Sequence, residues 1–114
     1  MTMNAIHCLG LMSSSFGKFR IEESKLEKFL DKIQSTYYEK LTYHNDLHGA
    51  DVMHMCYYMM TNTKLVENLK MNDLDKLAMI IASTCHDLGH DGFTNSYHLN
   101  AITSRAINTN DVSI

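Results

Sequence analysis

Ala78-Met79-Ile80-Ile81-Ala82-Ser83-Thr84-Cys85-His86-Asp87-Leu88-Gly89-His90 sets two histidines and an aspartate at the end of an apolar run. An aspartate so placed is costly to bury unless a cation or a set of donors meets its carboxylate. Imidazole nitrogen and carboxylate oxygen are also ligands that a borderline divalent metal such as zinc accepts. A second pair, His44 and His48, lies upstream at i,i+4 spacing, which on a helix places both rings on one face. Two such clusters on predicted helices, separated by a long helical stretch, imply a metal site assembled between packed helices.

The rest of the composition agrees with an all-α fold. The chain has 114 residues, 45% of them hydrophobic and 20% charged, with five glycines and no proline. An average chain has about 5% proline, so the lack of it favours helices over a turn-rich β fold. This length allows one small domain able to bury roughly two-thirds of its unfolded surface. A net charge of −3 with no basic stripe gives no electrostatic case for nucleic acid. No stretch approaches the ~18 apolar residues of a membrane span, and the N-terminus has no basic region ahead of an apolar one, so no signal peptide is expected. Cys8, Cys56 and Cys85 show no CxxC spacing. They fit a reducing, intracellular and cytoplasmic setting, with the thiols serving as small core residues.

Along the chain, residues 1–20 show no sustained period and read as a tail or lead-in segment. From Ile21, the residues Leu26, Phe29, Leu30, Ile33, Tyr37 and Leu41 continue one helical face. A second helix is expected to begin near Tyr43 to Asn45, with an apolar face of His48, Val52, Met55, Cys56 and Met59. Asp51 beside it is either a partner for a ligating histidine or a solvated helix residue. His54 falls off the His44/His48 face and reads as a plain surface or core histidine. The methionines around it read as packing, not as a sulfur metal site. Leu65, Val66 and Leu69 suggest a short helix. Asn72 is an N-cap candidate for a third main helix with Leu77, Ile80, Ile81, Thr84 and Leu88 at helical spacing. Gly89 and Gly92 bracket its end. Thr94 can cap a further helix carrying Tyr97, Leu99, Ile102 and Ala106, and residues 108–114 read as loop.

Taken together, His44, His48, His86, Asp87 and His90 can cradle one or two divalent ions, with Asp87 able to bridge two of them. Such ions polarise a phosphoryl oxygen and bring the pKa of water towards neutrality, while a histidine outside their coordination can deliver a proton to a leaving oxygen.

These residues carry a resemblance. Tyr43-His44-Asn45-Asp46-Leu47-His48-Gly49-Ala50-Asp51-Val52 resembles the YHNxxHAxDV signature of the class I cyclic nucleotide phosphodiesterases, within the HD-domain superfamily. His86-Asp87-Leu88-Gly89-His90-Asp91-Gly92-Phe93-Thr94-Asn95 resembles that family's HDxxHPGxxN segment. The stretches Ser13 to Ile21 and Asn100 to Ser113 resemble the flanks of those motifs. The resemblance implies that His44 is the proton donor to the 3′ oxygen of cAMP or cGMP. It implies that His48, His86 and Asp87 are zinc ligands, with Asp87 also reaching a second metal, magnesium or manganese. It implies that His90 lies in the water shell of that second metal. Tyr43 and Asn95 match pocket residues, and His44, His48 and Asp87 line the same pocket; Asn95 is alternatively a structural support at a helix start.

Two departures stand out. Asp91 replaces the family's proline, and Gly49 replaces its alanine. The family's fourth zinc ligand, a downstream aspartate, has no match, and Asp111 is too close in sequence to stand in for it. The purine-holding glutamine and the aromatic clamp have no match either. Residues 21–114 are therefore expected to be the N-terminal part of a longer, helical catalytic domain, inactive alone and homodimeric in the whole protein. Alternatives are another HD-type phosphohydrolase such as a nucleotidase, or a non-catalytic helical piece that binds metal.

Overall fold

A computed structural model describes residues 1–12, 19, 21–38 and 40–109, and within them the chain is helical with no strand. Seven helices follow one another: α1 (Thr2–Cys8), α2 (Glu23–Gln34), α3 (Asp46–Asn62), α4 (Leu65–Asn68), α5 (Asp73–Cys85), α6 (Asn95–Asn100) and α7 (Ser104–Asn108). The all-α expectation holds. Ser13 to Lys18 and Asp111 to Ser113, on which parts of the flanking resemblance fall, lie outside the described residues.

The frame is the pairing of α3 with α5, against which α1 packs from one side. Met53 and Met60 from α3, Ile80 from α5, Leu26 from α2, and Ala5, Ile6 and Leu11 from the N-terminal segment make one buried cluster. Methionine suits such an irregular junction because its unbranched chain adapts to the gaps between helices. Cys56 and Cys85 are half-buried, while Cys8 is exposed and so is not the core residue expected, and all three thiols are free.

Several helix boundaries follow directly from side-chain chemistry. The Asn45 carboxamide accepts from the His48 N–H and starts α3. Asn72 accepts from the Leu74 and Asp75 N–H groups while Asp75 accepts from the Asn72 N–H, a reciprocal box that fixes the start of α5. Thr94 caps α6 as expected.

Other elements depart from the sequence expectation. Thr2–Cys8 is helical and buries Ala5 and Ile6, although seven residues are too few to display an apolar period. α2 ends at Gln34, not near Leu41, so Tyr37 reaches the core from the turn that follows, and Phe29 stays exposed. On α3 the buried face runs through Gly49, Met53 and Met60, while Met55 faces solvent. The methionine and tyrosine content around that helix blurs its period. The stretch after Thr94 is two short helices, because Ile102 takes a left-handed φ of 49° and Thr103 caps a new start.

Candidate metal centre

The end of α5 delivers the first half of the site. His86 is the C-cap of α5 and Asp87 follows it in the turn. The Thr84 carbonyl near this end, buried among the helices, accepts from the Tyr37 hydroxyl at 2.8 Å. Burial pushes the Tyr37 phenol up, the backbone N–H of Asp87 pulls it back, and the nearby Asp87 charge adds to the rise. Tyr37 thereby ties the turn after α2 to the peptide units that carry His86 and Asp87. Gly49 makes room for it. A Cβ there would sit 2.8 Å from the Tyr37 hydroxyl oxygen and 3.2 Å from the Thr84 carbonyl. The sequence places Tyr37 on an apolar face and Gly49 where the family has alanine; only the packing shows that they are complementary.

The first turn of α3 brings the other half. His48 Nε2 lies 3.4 Å from Asp87 Oδ2, and His86 Nε2 lies 3.1 Å from the same oxygen. One ligand atom from each of His48, His86 and Asp87 falls within a group whose members are all within 4.8 Å of one another. The two distances to Asp87 suit a tetrahedral ion, whose ligands at about 2.0–2.1 Å from the metal stand roughly 3.3 Å apart.

The hydrogen bonding adds a chemical argument. His86 Nδ1 lies 2.9 Å from the Ser83 carbonyl oxygen. A carbonyl only accepts, so Nδ1 carries a proton, and in the neutral form of the ring Nε2 would turn its lone pair towards Asp87. Two electron-rich atoms facing each other at 3.1 Å repel unless a proton or a metal cation lies between them. The carbonyl-bonded imidazole is also the usual arrangement behind a ligating histidine. The donor set therefore fits a divalent cation.

His44 and His90 stand beside this cradle, not in it. Their rings stack with centroids 3.8 Å apart and planes within 11°. His44 is 6.0 Å from the His48 ring and precedes the N-cap, so the pair is joined by the turn into α3, not by a shared helix face. His90 Nδ1 accepts from the Gly92 N–H at 2.9 Å, which leaves the proton of the neutral ring on Nε2. Gly92 has a φ of 90°, and a Cβ there would meet Leu41 at 2.7 Å; both facts call for glycine. Tyr43 is exposed, its ring against both His44 and His48. Asn95 is exposed in the first turn of α6. Asp51 and His54 are exposed on α3.

One polar cluster near the site had no sequence signal beyond the odd residue at 91. Buried His98 of α6 contacts Asp91, which also faces Arg105 of α7. Desolvation alone would raise the Asp91 carboxyl, but the Phe93 N–H, His98 and Arg105 outweigh it and hold the group below its ordinary value.

The site defines a class: a helical protein with a histidine–carboxylate cation cradle and two further histidines at its mouth. Residues 43–114 match the family described as 3′5′-cyclic nucleotide phosphodiesterase, and the chain belongs to that family. It is 38% identical over 92 residues, 81% of its length, to the human high affinity cAMP-specific and IBMX-insensitive 3′,5′-cyclic phosphodiesterase 8A. It is 35% identical over 109 residues, 96% of its length, to the cGMP-specific 3′,5′-cyclic phosphodiesterase alpha of Plasmodium falciparum. It is 36% identical over 98 residues, 85% of its length, to the human dual specificity calcium/calmodulin-dependent 3′,5′-cyclic nucleotide phosphodiesterase 1B. The chain spans 11% of the first two relatives and 18% of the third. No solved structure matches it. No helix among the described residues is long and apolar enough to cross a membrane.

Proposed function

We propose that residues 21–114 form part of a catalytic centre that hydrolyses 3′,5′-cyclic nucleotides to 5′-monophosphates. The observation that carries the reading is His86 Nε2 facing Asp87 Oδ2 at 3.1 Å, with His48 Nε2 3.4 Å from the same oxygen, in a chain of this family. His48, His86 and Asp87 would hold zinc, and Asp87 and His90 would serve a second ion, magnesium or manganese, Asp87 as a ligand and His90 through its water shell. Bound there, the ions supply Lewis acidity at a phosphoryl oxygen and ease the deprotonation of water.

The chain's own residues do the remaining work. His44 lies at the mouth of the cradle, outside the ligand trio, and serves as the general acid. A water that has released one proton to solvent bonds through its oxygen to phosphorus, the bond from phosphorus to the 3′ oxygen breaks, and that oxygen takes its proton from His44, which regains one from solvent. The His90 ring, stacked on His44, limits how the acid can turn. Exposed Tyr43 flanks both His44 and His48 and would face the nucleotide, as would Asn95. The free thiols support an intracellular, cytoplasmic setting, and homodimerisation of the whole protein belongs to the same proposal.

The test is an assay of the full gene product for 5′-AMP or 5′-GMP released from the cyclic esters. Turnover that requires divalent metal and yields the 5′-monophosphate supports the proposal. Absence of that product, or turnover indifferent to chelation, contradicts it.

A further inference from the structure

The cluster around Asp91 takes no part in the chemistry above. Asp91 Oδ1 accepts from the Phe93 N–H at 3.1 Å and faces His98 Nε2 at 3.3 Å, while Oδ2 lies 3.5 Å from Arg105 Nη1. His98 is only 5% exposed. Its other ring nitrogen lies 3.1 Å from the Thr103 hydroxyl, so both nitrogens are partnered. An imidazole this deep is tolerated because its polar atoms are met. Thr103 in turn starts α7 by accepting from the Ala106 N–H. The Asp91 carboxylate thus joins the turn after His90 to both α6 and α7.

That turn holds His90. Asp91 sits between His90 and Gly92, the two ends of the 2.9 Å bond from the Gly92 N–H to His90 Nδ1. The His90 ring is the surface on which the His44 ring lies, 3.8 Å away. A proline would stiffen such a turn through its own backbone; an aspartate can do so only through what its side chain grips.

We propose that Asp91, His98 and Arg105 form a positioning clamp that holds the turn at residues 90–93, so that Gly92 keeps the His90 ring in one tautomer and His90 keeps His44 in place. Its consequence for turnover rests on the proposed role of His44; the clamp itself does not. Asp91 acts through His90 and touches no substrate.

The test is ¹⁵N NMR of the histidine side chains in this chain at a fixed pH of about 8, where free imidazole is neutral, without added metal or nucleotide. A single tautomer gives two well-separated ring nitrogen signals; an averaging ring gives converging ones. In the wild type the His90 signals should be well separated. In Asp91→Ala the separation should fall by half or more while helix content by circular dichroism is unchanged, and Asp91→Pro should restore it. Asp91→Asn, which keeps an acceptor for the Phe93 N–H but loses the charge, should give an intermediate separation. His90 signals unchanged in both Asp91→Ala and Asp91→Asn would overturn the clamp. If Asp91→Ala does not fold, Asp91→Asn decides alone: a reduced separation supports the clamp and an unchanged one overturns it. No turnover enters this readout, so its failure leaves the phosphodiesterase proposal standing, and the reverse also holds.

Discussion

The ligand trio and the histidine pair beside it are built in different ways. His48, His86 and Asp87 sit at the ends of α3 and α5, the two helices that bury Met53 and Ile80 against each other. Their geometry is inherited from core packing and from two polar ties, Asn45 to His48 and Tyr37 to Thr84. His44 and His90 lie outside any helix, one ahead of an N-cap and one in a glycine turn. They are aligned by a ring stack and a single backbone hydrogen bond. The difference suits the two proposed tasks: holding a charged ion would need a stiff frame, whereas passing a proton would need a ring that is oriented yet reachable.

Mutations can break this contrast or sharpen it. The largest effect belongs to Asp87. In the full-length protein Asp87→Ala should abolish turnover and weaken zinc binding by more than the roughly 10- to 100-fold seen when only an outer partner of a ligand is lost. Metal content and initial rates check both halves, and retained metal would dissolve the distinction. Next comes His44→Ala, which should keep its metal and lose about 10²- to 10⁴-fold in kcat, the usual contribution of a general acid. A metal-depleted His44→Ala protein would move His44 into the ligand set.

The frame can be tested without any chemistry. Tyr37→Phe leaves the buried Thr84 carbonyl without its partner and should cost about 1–3 kcal/mol in urea unfolding. Gly49→Ala gains about 1 kcal/mol of helix propensity but forces a methyl against the Tyr37 hydroxyl, with a repacking cost of about 1–3 kcal/mol. We expect a net loss in the wild-type background and a smaller one in Tyr37→Phe, which a double-mutant cycle would read. The smallest effect is Asn45→Ala, about 1 kcal/mol for a lost cap, with His48 loosened as α3 frays. Unfolding curves that leave Tyr37→Phe and Gly49→Ala independent would remove the proposed fit between them.

Much of this was legible in the residues. The apolar run ending in His86-Asp87 announced α5 and the residues at its end that meet His48, and Asn72 and Thr94 marked real helix starts through short polar side chains that reach backbone N–H groups. The spacing of His44 and His48 pointed to proximity, but for an incomplete reason, since Asn45 starts α3 between them and leaves His44 outside the helix. Other features depend on contacts between distant segments. The fit of Tyr37 against Gly49 joins the turn after α2 to α3, and both ring nitrogens of buried His98 are met by Asp91 and Thr103. α1 is hidden for another reason: a helix of seven residues has too few turns to show a face.

The most direct test of the central claim is zinc titration of this chain and its single variants by calorimetry. The account predicts one zinc per chain, with affinity sharply reduced in His48→Ala, His86→Ala and Asp87→Ala and unchanged in His44→Ala. Equal affinity in all four variants, or a loss in His44→Ala as large as in the other three, would contradict it.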